Sequence, residues 1–288
     1  MLEGLTPEFG NARLALSVKR VGILYHPHRE EAHDLANKIE DLLSAQGISA
    51  WQCSAWDEDR AKPQVASSDL VLSIGGDGTI LHVARIIIPL PVPILGINMG
   101  RLGFITELDG SEVLAKLPGL LKDGGWIEER AMLQAEVGNR TSHALNDVVV
   151  RSTAVNLVSI TVEIDGELLT IYRGDGIIVA TATGSTAYSL AAGGPILHPQ
   201  SKEIVLQPIS CHLGLNHPLV LSPQSTIDLT LATEDKAVLS LDGQLRSPFL
   251  GGHNARVKLS PYIARFLRTH QPTYFYSTLR QKLRGMRA

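Results

Sequence analysis

Asp69-Leu-Val-Leu-Ser-Ile-Gly-Gly-Asp-Gly-Thr79 is an apolar run that stops at two glycines, presents one carboxylate and hands over to a helical pattern. Leu70–Ile74, apolar but for Ser73, reads as a strand. Gly75, Gly76 and Gly78 are expected to turn with positive φ and to bring bare N–H groups close to a ligand. A helix beginning near Thr79 would add unpaired N–H donors and the positive end of its dipole, an arrangement suited to phosphate. Asp77 sits in the middle with a charge that repels phosphate. It fits a base taking a proton from an attacking hydroxyl, a Mg²⁺ ligand, or an ordinary Asp in a glycine-rich turn.

Upstream, Val21–Tyr25 reads as a short buried strand. Residues 29–46 place Leu35, Ile39, Leu42 and Leu43 on one helical stripe, and Gly47 is the natural stop. Ile48–Trp51 reads as the next strand. Downstream, Thr79–Ile88 reads as a helix ended by Pro89 and followed by the strand Ile94–Ile97. This alternation predicts an α/β domain with a parallel, Rossmann-like sheet. Ligand loops of such a sheet lie at the carboxyl ends of its strands, where Gly75–Gly78 and Asn98–Gly103 fall.

From about residue 126 the pattern changes. Val155–Ile164, Asp165-Gly166 and Leu168–Tyr172 form a hairpin pattern with a favoured turn. Ile177–Thr181, Ile204–Pro208, Ile227–Leu231, Ala237–Leu241 and Ala255–Leu259 continue as short strands, with Ser185–Ala192 helical among them. The expected division is therefore an α/β domain over 1–115 and a β-rich, sandwich-like domain over 116–265. A C-terminal segment, 266–288, is expected to dock back on the first. Residues 1–19 carry no strong pattern and are expected to form a partly ordered arm.

The totals exclude several classes. The chain has 288 residues, 44% hydrophobic residues and a formal net charge of -3, so it can build a substantial core and offers no nucleic-acid surface. Two cysteines, Cys53 and Cys211, imply no disulfide framework. No apolar run approaches the ~18 residues of a membrane span, so a cytoplasmic protein without a membrane partner is expected. His26, His28 and His33 lie close together without a carboxylate or Cys at ligand spacing, and are expected to be exposed loop histidines.

A second glycine-rich run, Gly174–Pro195, joins a strand to a small-residue helix start. Thr183–Thr186 offer hydroxyls and N–H groups there, and Tyr188 offers a ring for a base. With Gly75–Thr79, Gly96–Phe104, Asn146-Asp147, Pro208–Ser222 and Leu241-Asp-Gly-Gln244, this order of motifs resembles the NAD kinase family over nearly the whole chain. Gly-Gly-Asp-Gly-Thr is shared with diacylglycerol and sphingosine kinases and, in related form, with phosphofructokinases. A lipid kinase gives no account of Gly174–Pro195, and a non-catalytic dinucleotide sensor has no need of Asp77 beside a phosphate loop.

The resemblance implies phosphorylation of NAD on its adenosine 2′-hydroxyl by ATP, with Mg²⁺ carried mainly on the ATP phosphates. It makes Asp77 the base, and it gives Gly75, Gly76, Gly78, Thr79 and His82 to the nucleotide. Asn146 and Asp147 become acceptor-site residues, Asp175 holds a polar end of the dinucleotide, Arg173 lies near its phosphates or at a subunit contact, and Ser185, Thr186, Ala187, Tyr188, Ser189, Leu190 and Ala191 line the pocket. Gln244 closes one side. It also implies a homo-oligomer, a dimer or tetramer. Two positions depart from the family: Ala182 stands where Pro is usual, and His82 where many members carry Arg.

Overall fold

The computed structural model describes residues 18–100, 103–153, 156–212 and 215–285. Most of the expected N-terminal arm, Arg101-Leu102 within Gly96–Phe104, the strand start at Val155 and the last three residues lie outside the described residues. In chain order the first elements are β1 (Arg20–Tyr25), α1 (Glu30–Ala45), β2 (Ser49–Ser54), α2 (Glu58–Val65), β3 (Leu70–Gly75), α3 (Asp77–Ile87), β4 (Ile94–Asn98), β5 (Leu108–Asp109) and α4 (Val113–Asp123). Then come β6 (Trp126–Val137), β7 (Arg140–Ala144), β8 (Asp147–Ser152), β9 (Val158–Ile164), β10 (Glu167–Gly174) and β11 (Gly176–Ala180). A 3₁₀ turn (Gly184–Thr186) precedes α5 (Tyr188–Ala191). The chain closes with β12 (Ile204–Ile209), β13 (Leu219–Leu221), β14 (Ile227–Leu231), β15 (Lys236–Leu241), β16 (Leu245–Leu250), β17 (Asn254–Arg268) and α6 (Tyr274–Gly285).

These elements form two compact units. One takes the chain up to Gly76, Val92–Glu128 and the chain from Phe266; the other takes Asp77–Pro91 and Glu129–Arg265. Helix α3 therefore groups with the β-rich residues, although β3 just before it does not.

The first unit is the expected α/β layer. Its parallel strands run β2–β1–β3–β4, with β5 and the end of β17 (Phe266 opposite Ile94) beside β4. Leu35, Ala36, Ile39 and Leu43 of α1 pack on Val21, Ile23, Leu72 and Ile74, as the helical stripe requires. Gly47 ends α1 with φ 74°, the left-handed stop that glycine supplies. Gly22 is small because Trp51 pairs opposite it: an added Cβ would meet the indole at 2.5 Å. Helix α2, with Pro63 inside it, has no clear sequence signal; Asp57 caps it by accepting from the Arg60 N–H at 3.2 Å.

The second unit is the expected β-rich domain. One antiparallel set runs β10–β9–β14–β17, with the β6–β7 hairpin; the other sheet runs β13–β12–β11–β8–β15–β16. Val148, Val150, Ile177 and Leu239 of the second sheet share a core with Ile160, Val162, Leu229 and Val257 of the first. Two hairpins turn on Asp-Gly. Asp165-Gly166 (φ 54° and 87°) joins β9 to β10, and Asp242-Gly243 (φ 53° and 69°) joins β15 to β16. Positive φ at both central residues is the type I′ geometry that matches strand twist.

Candidate active site

The loop that opened the reading differs from expectation in two ways. Helix α3 begins at Asp77, two residues before Thr79, so Asp77 lies in the first turn, where a carboxylate complements the helix dipole. None of Gly75, Gly76 and Gly78 lies in the left-handed region, which corrects the positive-φ expectation. An added Cβ at Gly76 or Gly78 would meet nothing within 4 Å. These glycines keep the loop surface clear of side chains rather than permit an otherwise forbidden turn. Thr79 is buried and Asp77 half-buried.

The turn Leu241–Gln244 ties this helix to the Asn146-Asp147 pair. It is closed by the Gln244 N–H donating to the Leu241 carbonyl at 3.0 Å. The Asp242 carboxylate accepts from three successive backbone N–H groups: Leu145 at 2.9 Å, Asn146 at 2.7 Å and Asp147 at 3.2 Å. Gln244 Nε2 donates to the Gly78 carbonyl at 2.8 Å, and its Oε1 accepts from Arg85 Nη1 at 3.0 Å. Arg85 Nη2 in turn donates to His82 Nδ1 at 2.9 Å. His82 is thus drawn into a side-chain relay on α3.

The other side of the pair is held by the loop after β11. Thr181 Oγ1 donates to the Leu145 carbonyl at 2.6 Å, and the Thr181 N–H donates to the Asn146 carbonyl at 2.9 Å. Gly184 lies so close that a Cβ there would stand 2.0 Å from the Asn146 carbonyl oxygen. With its backbone fixed on both sides, Asn146 keeps its Oδ1 buried without a hydrogen-bond partner among the described residues. Such an atom costs free energy unless a ligand satisfies it.

Asn146, Asp147, Ala187 and Tyr188 line one cavity of about 630 Å³, with Arg151, Ser240, Asp242 and Arg246 among its other walls. The volume suits a nucleotide-sized ligand. Asp147 is buried, and burial followed by the nearby Asp242 charge pushes its carboxyl up to about 7. Burial raises Asp242 too, against the three backbone N–H bonds that pull it down.

Other expected residues stand elsewhere. The helix expected over Ser185–Ala192 is broken at Ala187 (φ -106°, ψ -122°) into a 3₁₀ turn and one short helical turn, which leaves little dipole to aim at phosphate. Ser185 and Ser189 are fully buried. The Ser185 hydroxyl donates to the Ala182 carbonyl and accepts from the Leu197 N–H, so it serves the loop itself. Thr186 Oγ1 likewise donates to the Thr183 carbonyl. Leu190, Ala191 and Gln244 are outside the cavity lining, as are the exposed Arg173 and Asp175 at the β10–β11 corner; Gln244 turns to α3 instead of closing the pocket. The sequence reading missed Asp242, Arg85, Arg151 and Arg246. Only the Asp-Gly pair at 242–243 carried a signal, and it reads equally as a plain hairpin turn.

Comparison with known proteins shows the family. Residues 14–125 match the ATP-NAD kinase N-terminal domain and residues 145–269 the ATP-NAD kinase C-terminal domain. The chain is 42% identical over 274 residues to an NAD kinase of Dehalococcoides mccartyi, covering 93% of this chain and 96% of that one. The chain belongs to the NAD kinase family. An NAD kinase of Chloroflexus aggregans is 38% identical over 276 residues, covering 93% and 99% of the two chains. Among solved structures, an Archaeoglobus fulgidus NAD kinase in complex with ATP superposes with TM-score 0.75 at 25% identity, covering 91% of this chain and 98% of that one. A yeast NADH kinase complexed with NADH shares the fold at TM-score 0.82 and 24% identity, covering 92% and 87%. Among the described residues, no helix is long and apolar enough to cross a membrane.

Proposed function

We propose that this member of the NAD kinase family transfers the γ-phosphoryl group of ATP to the 2′-hydroxyl of the adenosine ribose of NAD, giving NADP and ADP. The observation that carries the reading is the Asn146-Asp147 pair: an amide and a carboxylate side by side in the wall of a nucleotide-sized cavity, with the amide oxygen unsatisfied among the described residues. An amide oxygen accepts from the adenine amino group, and a carboxylate accepts from ribose hydroxyls. Tyr188, exposed at the cavity wall, gives the base a ring to lie against.

Asp77 is the general base. It accepts the 2′-hydroxyl proton as the oxygen bonds to phosphorus and the bond from the γ-phosphorus to the β–γ bridging oxygen breaks, a contribution of about 10²–10⁴ in rate. Helix α3 starts at Asp77 with no side chain at Gly76 or Gly78 to screen its N-terminal end, which suits the donor phosphates. Asp77 with glycines on either side offers a single carboxylate, which fits a Mg²⁺ ion that rides on phosphates and keeps its waters. When bound, that ion neutralises phosphate charge.

A homo-oligomer is part of the same reading. Edge strand β10 leaves Leu168 62% and Ile171 55% exposed, apolar groups that a second copy of the chain would cover.

The test is chemical. Purified protein is incubated with NAD, ATP and Mg²⁺, and the product is examined by ³¹P NMR. A new phosphomonoester on the adenosine 2′ position supports the reading; ATP left unconsumed by a folded, NAD-binding protein removes it.

A further inference from the structure

We propose that the Leu241–Gln244 turn is the positioning element of the phosphoryl-transfer site, with Asp242 setting the Asn146-Asp147 pair and Gln244 setting the first turn of α3 beside Asp77. The inference rests on the kinase reading above and assigns roles to residues that do not themselves touch the reacting atoms.

Asp242 lies one residue past the end of a ladder. The pairing of β8 with β15 stops at Val148 opposite Leu241, so the N–H groups of residues 145–147 have no strand partner on that side. The Asp242 carboxylate takes all three, at 2.7–3.2 Å, and the Asp242 N–H donates to the Asp147 carbonyl at 2.9 Å. The clasp is reciprocal. A neutral side chain of one oxygen and one amide could not accept all three donors with the same strength.

Gln244 acts on the opposite element. Its amide spans α3 from the Gly78 carbonyl to Arg85, seven residues on, so both the axial position and the rotation of the helix are fixed. Arg85 also faces Asp242 closely enough for its charge to lower that carboxyl. The two anchors are separated by Gly243 alone, within a turn whose backbone is closed by its own hydrogen bond. A shift of α3 is therefore passed to the Asn146-Asp147 pair and back. In-line transfer is sensitive to such a shift, since a displacement of about 1 Å costs on the order of 10²-fold in rate.

The test uses the full chain with NAD, ATP and Mg²⁺, and reads kcat, KM, the Kd for NAD by calorimetry, and melting temperature. Gln244→Met keeps the side-chain length and loses both hydrogen bonds. Gln244→Glu keeps an acceptor for Arg85 and loses the donor to Gly78. Both are expected to lower kcat about tenfold or more while the Kd for NAD stays within about threefold. Asp242→Asn, which tolerates the positive φ, is expected to raise the Kd for NAD about tenfold or more.

A merely structural turn would lower the melting temperature and leave kcat per folded molecule unchanged; that result overturns the proposal. Recovery of kcat in Gln244→Glu overturns the role given to the Gly78 bond. A wild-type chain that makes no NADP would overturn the functional reading itself. Wild-type NADP formation with unimpaired Gln244→Met would overturn the positioning role alone.

Discussion

Asp147 and Asp242 face each other across the end of the β8–β15 ladder, bonded through backbone N–H groups in both directions, with the Asp147 carboxyl buried within reach of the Asp242 charge. Burial and the Asp242 charge raise Asp147 from 3.8 to about 7. Its folded value lies above its unfolded one, so the folded chain binds more protons between those pH values. The stability this gives is complete below pH ~4 and is lost as pH rises through about 7. Asp147→Asn should therefore raise the melting temperature more at pH 8 than at pH 5, measured by calorimetry. An equal change at both pH values would contradict the assignment.

The same carboxyl must ionise to accept from two ribose hydroxyls. The KM for NAD should fall as pH rises through about 7, while the KM for ATP stays level across that range. Asp242 is the charge that acts on Asp147; Arg151 on its own strand, Arg246 at the start of β16 and Tyr188 on α5 line the same cavity, and Arg85 acts on Asp242. Asp242→Asn removes the one like charge among them and should move the inflection to lower pH. An inflection that stays in place would show that burial alone sets it.

Gly184 can be tested by a single methyl group. Its Cβ would stand 2.0 Å from the Asn146 carbonyl oxygen, a backbone atom that cannot swing away. Gly184→Ala should cost about 1–3 kcal/mol and raise the KM for NAD by displacing Asn146. Denaturant unfolding with parallel kinetics checks both effects, and an unchanged KM would show that Asn146 does not meet the dinucleotide.

Arg268 is buried between two carboxylates, with Nε 2.7 Å from Glu128 and Nη1 3.2 Å from Glu107. Burial alone would raise Glu107, but the His270 hydrogen bond and the Arg268 charge bring it down to about 2. Arg268→Ala leaves these carboxylates uncompensated and should destabilise by about 3–5 kcal/mol at pH 7. The loss should shrink toward pH 4, where protonation relieves the uncompensated carboxylates. Chemical denaturation at the two pH values distinguishes this from simple loss of packing, which would be pH-independent.

The exposed apolar groups of β10 predict association. Light scattering should give a mass above that of one chain, and Ile171→Asp should shift it toward the monomer. A wild-type monomer at micromolar concentration would remove the oligomer from the account.

Much of this fold was legible because it is written locally. The α1 stripe, the β3–α3 handover and the Asp165-Gly166 turn each lie within a few residues. Helix α2 was not, because Pro63 masks it, and α3 was placed two residues late because Gly78 is a weak helix former. The site was half legible. The motifs pointed to Asn146, Asp147 and Tyr188, which line one cavity, but the Asp242 clasp joins groups 95 to 97 residues apart, which no window of sequence reveals. Ser185 shows the converse: a hydroxyl in a ligand-like run that bonds within the loop it supports.

The central claim is that Asp77 takes the proton from the 2′-hydroxyl. Single-turnover NADP formation by Asp77→Asn, with NAD binding measured on the same preparation, tests it most directly. The account predicts a rate lower by about 10²–10⁴ with the Kd for NAD essentially kept. A rate near wild type from a fully folded mutant would contradict it.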